Sequence, residues 1–343
     1  MAKRQKLSFV ELDDMPDEII LKIFTFLDIR EILKCGQVSQ RIRAISNDES
    51  LWLQLNFFEG HVPYELIEKA VENGCRYLSL AFACLYQKYS KMPLNLKYLE
   101  LSQHSENEPD TLEVPGYYRI LQNCHSLEKL AMENLILDSE DIKLVGKNGP
   151  TLKVLNLADI RLWTSQLLKA IRNLFKSCVE LIELNFSNSW NFRSEVFNVI
   201  AYNLTPKILK VDLSCNTNLK DENVKTLVKR CTKIVELNLS FTSITKDAVN
   251  SILTHLSSSL EKLDVSYTKI DSTELFQLRS VKTLKVLHCL DKIKGLRVQE
   301  EYLRKNLPQV SINNEEHLFS IATSTTDTVK YEDGFWEIKA EAQ

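Results

Sequence analysis

Cysteine and histidine carry the most versatile chemistry in this chain, and their spacing assigns none of it to a reaction. The eight cysteines are Cys35, Cys75, Cys84, Cys124, Cys178, Cys215, Cys231 and Cys289, with no C-x-x-C pair and no histidine at metal-ligand spacing. They read as reduced, mostly buried small hydrophobes, and no metal site is expected. The six histidines, His61, His104, His125, His255, His288 and His317, share no common phase. Covalent transfer through sulfur needs a thiolate in an electropositive, part-exposed setting, and no local sequence supplies one. A nucleophile elbow, a phosphate loop, a dinucleotide fingerprint and a zinc-protease helix are all missing, and eight glycines are few for phosphate-cradling loops. The expectation is a chain with no catalytic residue and no cofactor.

One regularity in the cysteines points to the elements behind them. Cys124, Cys178 and Cys231 each stand three residues before the first apolar residue of an L-x-x-L-x-L unit. Such units begin at Leu96, Leu127, Leu152, Leu181, Ile208, Ile234, Leu260, Val281 and Leu307, and from Leu152 to Leu260 the starts differ by 29, 27, 26 and 26 residues. That period is the one of leucine-rich repeats. A tenth, degenerate unit is expected in Cys75 to Ala83, without a fixed register. Each unit predicts a short parallel strand whose leucines enter a shared core, then a covering helix, as with Val224, Leu227 and Val228 or Ala248, Ile252 and Leu253. Residues one repeat apart stack in a column and do not converge on a point, so the phased cysteines read as packing.

Strand alternation predicts which residues face the concave side: Tyr98, Glu100 and Ser102, then Lys129, Ala131 and Glu133, and so on to Lys262, Asp264 and Ser266. This small, polar face either takes a peptide or the chain's own tail, or hydrogen-bonds along its own ladder. Trp190, Phe192, Phe241, Tyr267 and His288 are placed in the rim loops past the strands, as partner anchors or as caps on the core. Beyond Ile312 the repeat stops. The remainder is rich in Ser, Thr, Glu and Asp yet carries Phe335, Trp336 and Ile338, a cluster that predicts a tail anchored back on the repeats.

Composition narrows the function. The chain is 44% hydrophobic and 26% charged with a net charge of -3, so no global basic field argues for nucleic acid. No apolar run approaches the roughly 18 residues that span a bilayer. We expect an intracellular protein with protein partners, without nucleic acid or membrane among them.

The stretch Met15 to Leu55 is different in kind. Pro16, Asp17 and Glu18 suit a helix start, and Ile19, Ile20, Ile23, Phe24 and Leu27 recur at helical spacing. Asp28 with Glu31 forms a capping-box pattern ahead of Ile32 and Leu33, and a third helix runs through Ile42 and Ile45 toward Trp52. Three short helices cannot turn all these side chains inward, so another surface must cover some of them.

The order Pro16-Asp-Glu-Ile-Ile20, Ile23-Phe-x-x-Leu27, Ile32-Leu-Lys-Cys-x-x-Val38-Ser and Asp48-Glu-Ser-Leu-Trp52 resembles an F-box, the helical module that docks onto a Skp-type adaptor. With the cysteine-type repeats and the tail, nearly the whole chain resembles the F-box/leucine-rich-repeat receptors of the cell cycle. The later matching stretches are Ile120 to Leu127, Leu307 to Asn313, Ser320 to Ala322 and Trp336 to Lys339. The resemblance implies an α/β fold: a three-helix F-box over 15–56, a joining helix over 57–74, about ten repeats over 75–313, and tails at 1–14 (mobile) and 314–343. It implies a non-catalytic substrate receptor of a Skp-cullin-F-box ligase, found in nucleus and cytoplasm, with cullin and RING subunits reached through the adaptor. A Cks-type accessory protein, a phosphorylated cyclin-dependent-kinase inhibitor and a cyclin-kinase complex are the implied further partners. Adaptor contacts would come from Pro16, Ile19, Ile20, Ile23, Phe24, Leu27, Ile32, Leu33, Val38 and Trp52. Accessory and substrate contacts would come from Trp190, Phe241, Tyr267, Lys269, Leu318 and Phe319. An Arg and a Trp of the family's rim stand here as Tyr267 and Asn188, with Trp190 displaced by two. A receptor for a different substrate without the accessory protein, or a repeat scaffold outside the ligase system, are the alternatives.

Overall fold

Each L-x-x-L-x-L unit alternates at period two around its second leucine, and each folds as a short strand. In the computed structural model, which describes residues 14–57, 60–86, 92–103, 116–162, 166–189, 192–290 and 296–314, eleven such strands form one parallel sheet in chain order. They are Gln54–Asn56, Tyr77–Ser79, Tyr98–Glu100, Lys129–Ala131, Val154–Asn156, Glu183–Asn185, Lys210–Asp212, Glu236–Asn238, Lys262–Asp264, Val286–His288 and Ser311–Ile312. Register is set by the middle residue: Leu55 stands opposite Leu78, Leu78 opposite Leu99, and the column continues through Leu130, Leu155, Leu184, Val211, Leu237, Leu263 and Leu287 to Ile312. All are buried, each contributing roughly 1.5 to 3 kcal/mol by its removal from water.

The outer layer is helical. Ser139–Asn148, Leu167–Ser177, Ser194–Asn203, Asp221–Arg230 and Lys246–Leu256 pack side by side, each against the next. Val224, Leu227 and Val228 form one inward face and Ala248 and Ile252 another, while Leu253 is only partly buried. Cys124, Cys178 and Cys231 are fully buried where the chain turns toward the next strand, and burial pushes their thiols up to about 12.

Three details depart from the expectation. The unit read as Val281, Leu284 and Val286 is shifted by three: Leu287 pairs with Leu263, so the column residues are Leu284, Leu287 and Cys289. Val281 and Leu284 are both buried as well, and an apolar run that dense fits either register. His288 consequently ends a strand instead of lying in a rim loop. The degenerate unit has a register after all, Cys75-x-x-Leu78-x-Leu80, with cysteine in the first leucine's place. One further unit precedes it, because Trp52-x-x-Leu55-x-Phe57 follows the same pattern and supplies the first strand.

The third departure is the burial of the concave face, whose side chains take the ladder-bonded alternative. Ser102, Asn156, Asn185, Asp212, Glu236, Asn238 and Ser266 are buried, although alternation points them away from the core. Neighbouring strands lie about 4.8 Å apart, too close for water to enter between such side chains. They bond to one another instead: Asn156 Nδ2 donates to Glu133 Oε1 at 2.6 Å, and Asn238 Nδ2 to Asp212 Oδ2 at 2.8 Å.

Candidate functional site

The first four helices are short, and each is defined by its ends: α1 Asp17–Phe24, α2 Ile29–Cys35, α3 Gln40–Ser46 and α4 Glu49–Trp52. Asp28 and Glu31 close a reciprocal capping box on α2, Ser39 Oγ accepts from Ile42 N on α3, and Asp48 caps α4. Arg41 on α3 reaches back to α1, donating to Asp17 Oδ1 from Nε at 2.9 Å and to Met15 O from Nη2 at 2.5 Å. Trp52 Nε1 donates to Ser46 O at 2.7 Å.

This frame sorts the residues implied in adaptor contact into two groups. Ile20, Phe24, Ile32 and Trp52 are buried inside the chain, and Leu27 and Leu33 are partly buried against them. They position the surface. The surface itself holds Pro16 together with Ile19 at 50% exposure, Ile23 at 39% and Val38 at 77%. Ile19 and Ile23, four apart on α1, share a face about 100° round the helix from Ile20 and Phe24. Phe26 was absent from the sequence reading, yet at 78% exposure it is the most exposed large apolar side chain among the described residues. Lys22 Nζ stands 5.5 Å above its ring. The signal was available, because a phenylalanine two past the inward Phe24 cannot share its face.

A second site lies on the rim. Phe241 and Tyr267 stack with ring centroids 4.3 Å apart and planes 26° from parallel, and Phe241 is 42% exposed. Both have left-handed backbone, at φ 55°. Phe82, Asn134, Asp159, Asn188 and Cys215 have positive φ at the same phase of earlier repeats. Each N–H there donates to the next repeat, Phe241 to Ser266 O at 2.9 Å and Tyr267 to Leu290 O at 2.6 Å. Asn and Asp tolerate this conformation, whereas a bulky side chain costs about 1 to 2 kcal/mol. Two adjacent aromatics held there mark the place as special. The missed signal is a tandem repeat, Ser240-Phe-Thr-Ser-Ile244 and Ser266-Tyr-Thr-Lys-Ile270. Lys269 is exposed beside the stack. Phe192, by contrast, is buried and stacks on Phe186 at 5.5 Å.

Beneath this rim, burial raises the carboxyls of Asp212 and Asp264. Their Oδ1 atoms accept from Ser214 N and Ser266 N, both at 2.8 Å, and so close the turns that carry the rim. His288 Nδ1 stands 3.9 Å from Asp264 Oδ2. Trp190, Leu318, Phe319, Phe335, Trp336 and Ile338 lie outside the described residues. No group of three or more His, Cys, Asp or Glu side chains suited to a metal occurs among the described residues.

An F-box-like domain matches residues 12–57, and the SKP2 LRR domain matches residues 65–343. Relatives are similar over shorter stretches. Human F-box/WD repeat-containing protein 8 is 43% identical over 49 residues, and F-box protein dre-1 of Caenorhabditis elegans is 35% identical over 54. Human F-box only protein 15 is 48% identical over 42. Those alignments take in 14%, 15% and 12% of this chain and only 8%, 6% and 8% of the relatives. With strands, helices and cysteines in the phase of a leucine-rich solenoid behind four short helices, this chain belongs to the family of the SKP2 leucine-rich-repeat domain, with an F-box-like domain ahead of it.

Proposed function

We propose that the chain is the substrate-recognition subunit of a Skp-cullin-F-box ubiquitin ligase. The observation that carries this reading is the exposed apolar set Ile19 and Ile23 on α1 with Phe26 and Val38 in the turns after α1 and α2, on a module whose own core is already filled. Such a patch on a small rigid module is suited to a protein partner, and the F-box-like match makes a Skp-type adaptor that partner. The cullin and RING subunits then join through the adaptor, and the chain contributes no catalytic residue. Its task is to hold a protein near the transfer machinery. Co-purification with a Skp-type adaptor, lost on deleting 15–55, tests the reading.

At the other end, the Phe241–Tyr267 stack and Lys269 receive a Cks-type accessory protein, and the two together present a phosphorylated cell-cycle regulator such as a cyclin-dependent-kinase inhibitor, alone or with its cyclin-kinase complex. The resemblance supports this, as does a rim that, among the described residues, sets the exposed Lys269 near aromatic surface without an arginine cluster able to read phosphate alone. Nucleus and cytoplasm are the compartments this role requires. Tyr267 and Asn188, standing where the family has Arg and Trp, favour a second reading in which a different substrate is bound without the accessory protein. Binding of a purified Cks protein separates the two.

A further inference from the structure

A cleft of about 620 Å³ opens between the first helices and the start of the solenoid. One wall is α2 and the turn after it with α3, and the other is the strand His61–Pro63 with the helix α5, Tyr64–Glu72. Leu33, Pro63 and Leu66 give it an apolar floor. Three cations line it, Arg30, Arg43 and Lys69, against one carboxylate, Glu65. Three positive charges less one leave the cleft at +2 with His61 neutral, in a chain whose net charge is -3. The cleft is a local inversion of the protein's field.

The cations are held in place without being neutralised. Arg30 Nη2 donates to His61 O at 2.7 Å, and Arg43 Nε donates to Gly36 O at 3.1 Å. Lys69 Nζ stands 5.8 Å over the Trp52 ring. Among the described residues none of the three pairs with a carboxylate. Backbone carbonyls therefore orient two guanidinium groups while leaving their charge available to an anion. The start of α5 adds to the same field, because its N-cap is Pro63 and no side chain caps it.

We propose that this cleft is a second docking site, for an acidic peptide segment that brings carboxylates to Arg30, Arg43 and Lys69 and an apolar side chain to Leu33 and Leu66. Charge complementarity selects the sign, and the apolar floor selects a peptide over a free inorganic anion, which would gain nothing from Leu33, Pro63 and Leu66. A nucleic acid is opposed by the charge of the rest of the chain. Because one wall belongs to the F-box and the other to the solenoid, an occupant would clamp the two modules together. The three cations are not members of the exposed set Ile19, Ile23, Phe26 and Val38, although Gly36 and Gln37, next to Val38, line the cleft.

Fluorescence anisotropy of the full chain tests this, with a short labelled peptide of Asp, Glu and Leu and a control in which Lys replaces the acids. The acidic peptide should bind and the control should not, with affinity falling as salt rises. Arg43→Gln with Lys69→Gln should weaken binding about tenfold or more. Arg43→Gln alone, which leaves the Trp52 contact intact and gives up the bond to Gly36 O, should weaken it while the chain stays folded, with the melting temperature lowered by no more than a few degrees. Absence of binding, equal binding of the control, unchanged affinity in both variants, or full displacement of the peptide by inorganic phosphate would each overturn the proposal.

Discussion

The indole of Trp52 donates to the carbonyl of Ser46 at 2.7 Å, and this bond joins the last F-box helix to the preceding one at the point where the sheet begins. Trp52 also holds the first apolar position of the unit that forms the first strand, so one residue ends the helical module and starts the solenoid. Trp52→Phe retains most of the buried ring but strands the Ser46 carbonyl. It should cost about 1 to 3 kcal/mol in chemical denaturation.

The Phe241–Tyr267 stack predicts an unusual stability profile. Phe241→Asn removes a stacking contact worth about 0.5 to 1.5 kcal/mol but relieves a left-handed backbone that asparagine accepts. Stability should stay within about 1 kcal/mol of the native chain, while capture of a rim partner is lost. A core-like cost of about 3 kcal/mol would mean that the ring is structural.

Asp141 makes stability depend on pH. Burial, reinforced by the charge of Asp138, raises its carboxyl from 3.8 to about 6. The folded chain holds this proton longer than the unfolded chain does, so this group's contribution is most favourable below its unfolded value and is lost as pH rises through about 6. Asp141→Asn keeps an acceptor for the Asp138 N–H, bonded at 2.9 Å, and removes the charge. The variant should gain up to about 2 kcal/mol on the native chain between pH 4 and 7, read from melting temperatures at both ends.

Thiol reactivity should follow burial. Cys84 is exposed, whereas Cys75, Cys124, Cys178, Cys231 and Cys289 have thiols pushed up to about 12. A maleimide applied to the folded protein should label Cys84 quickly, the half-buried Cys289 slowly, and the other four only after unfolding, as peptide mass spectrometry would show.

Much of this fold was readable because a leucine-rich solenoid writes the same instruction many times. The column from Leu99 to Leu263 repeats so regularly that strand, register and covering helix follow from spacing. The legible pattern failed where a unit used another residue for the first leucine, as Cys75 and Trp52 do, or where Val281, Leu284, Val286 and Leu287 fitted two registers. The concave face misled for a different reason: alternation gives the direction of Asn156 or Asp212 but not the distance to the neighbouring strand's side chain, which decides burial. In the F-box the apolar surplus was evident, yet dividing it between the inward Ile20, Phe24, Ile32 and Trp52 and the outward Ile19, Ile23, Phe26 and Val38 required the helix packing.

That outward set carries the central claim, and titration calorimetry of a purified Skp-type adaptor into the full chain tests it directly. Ile23→Glu with Phe26→Glu alters exposed positions only, so the melting temperature should hold while adaptor affinity falls about a hundredfold or more. A folded double variant that binds the adaptor as tightly as the native chain would contradict the account.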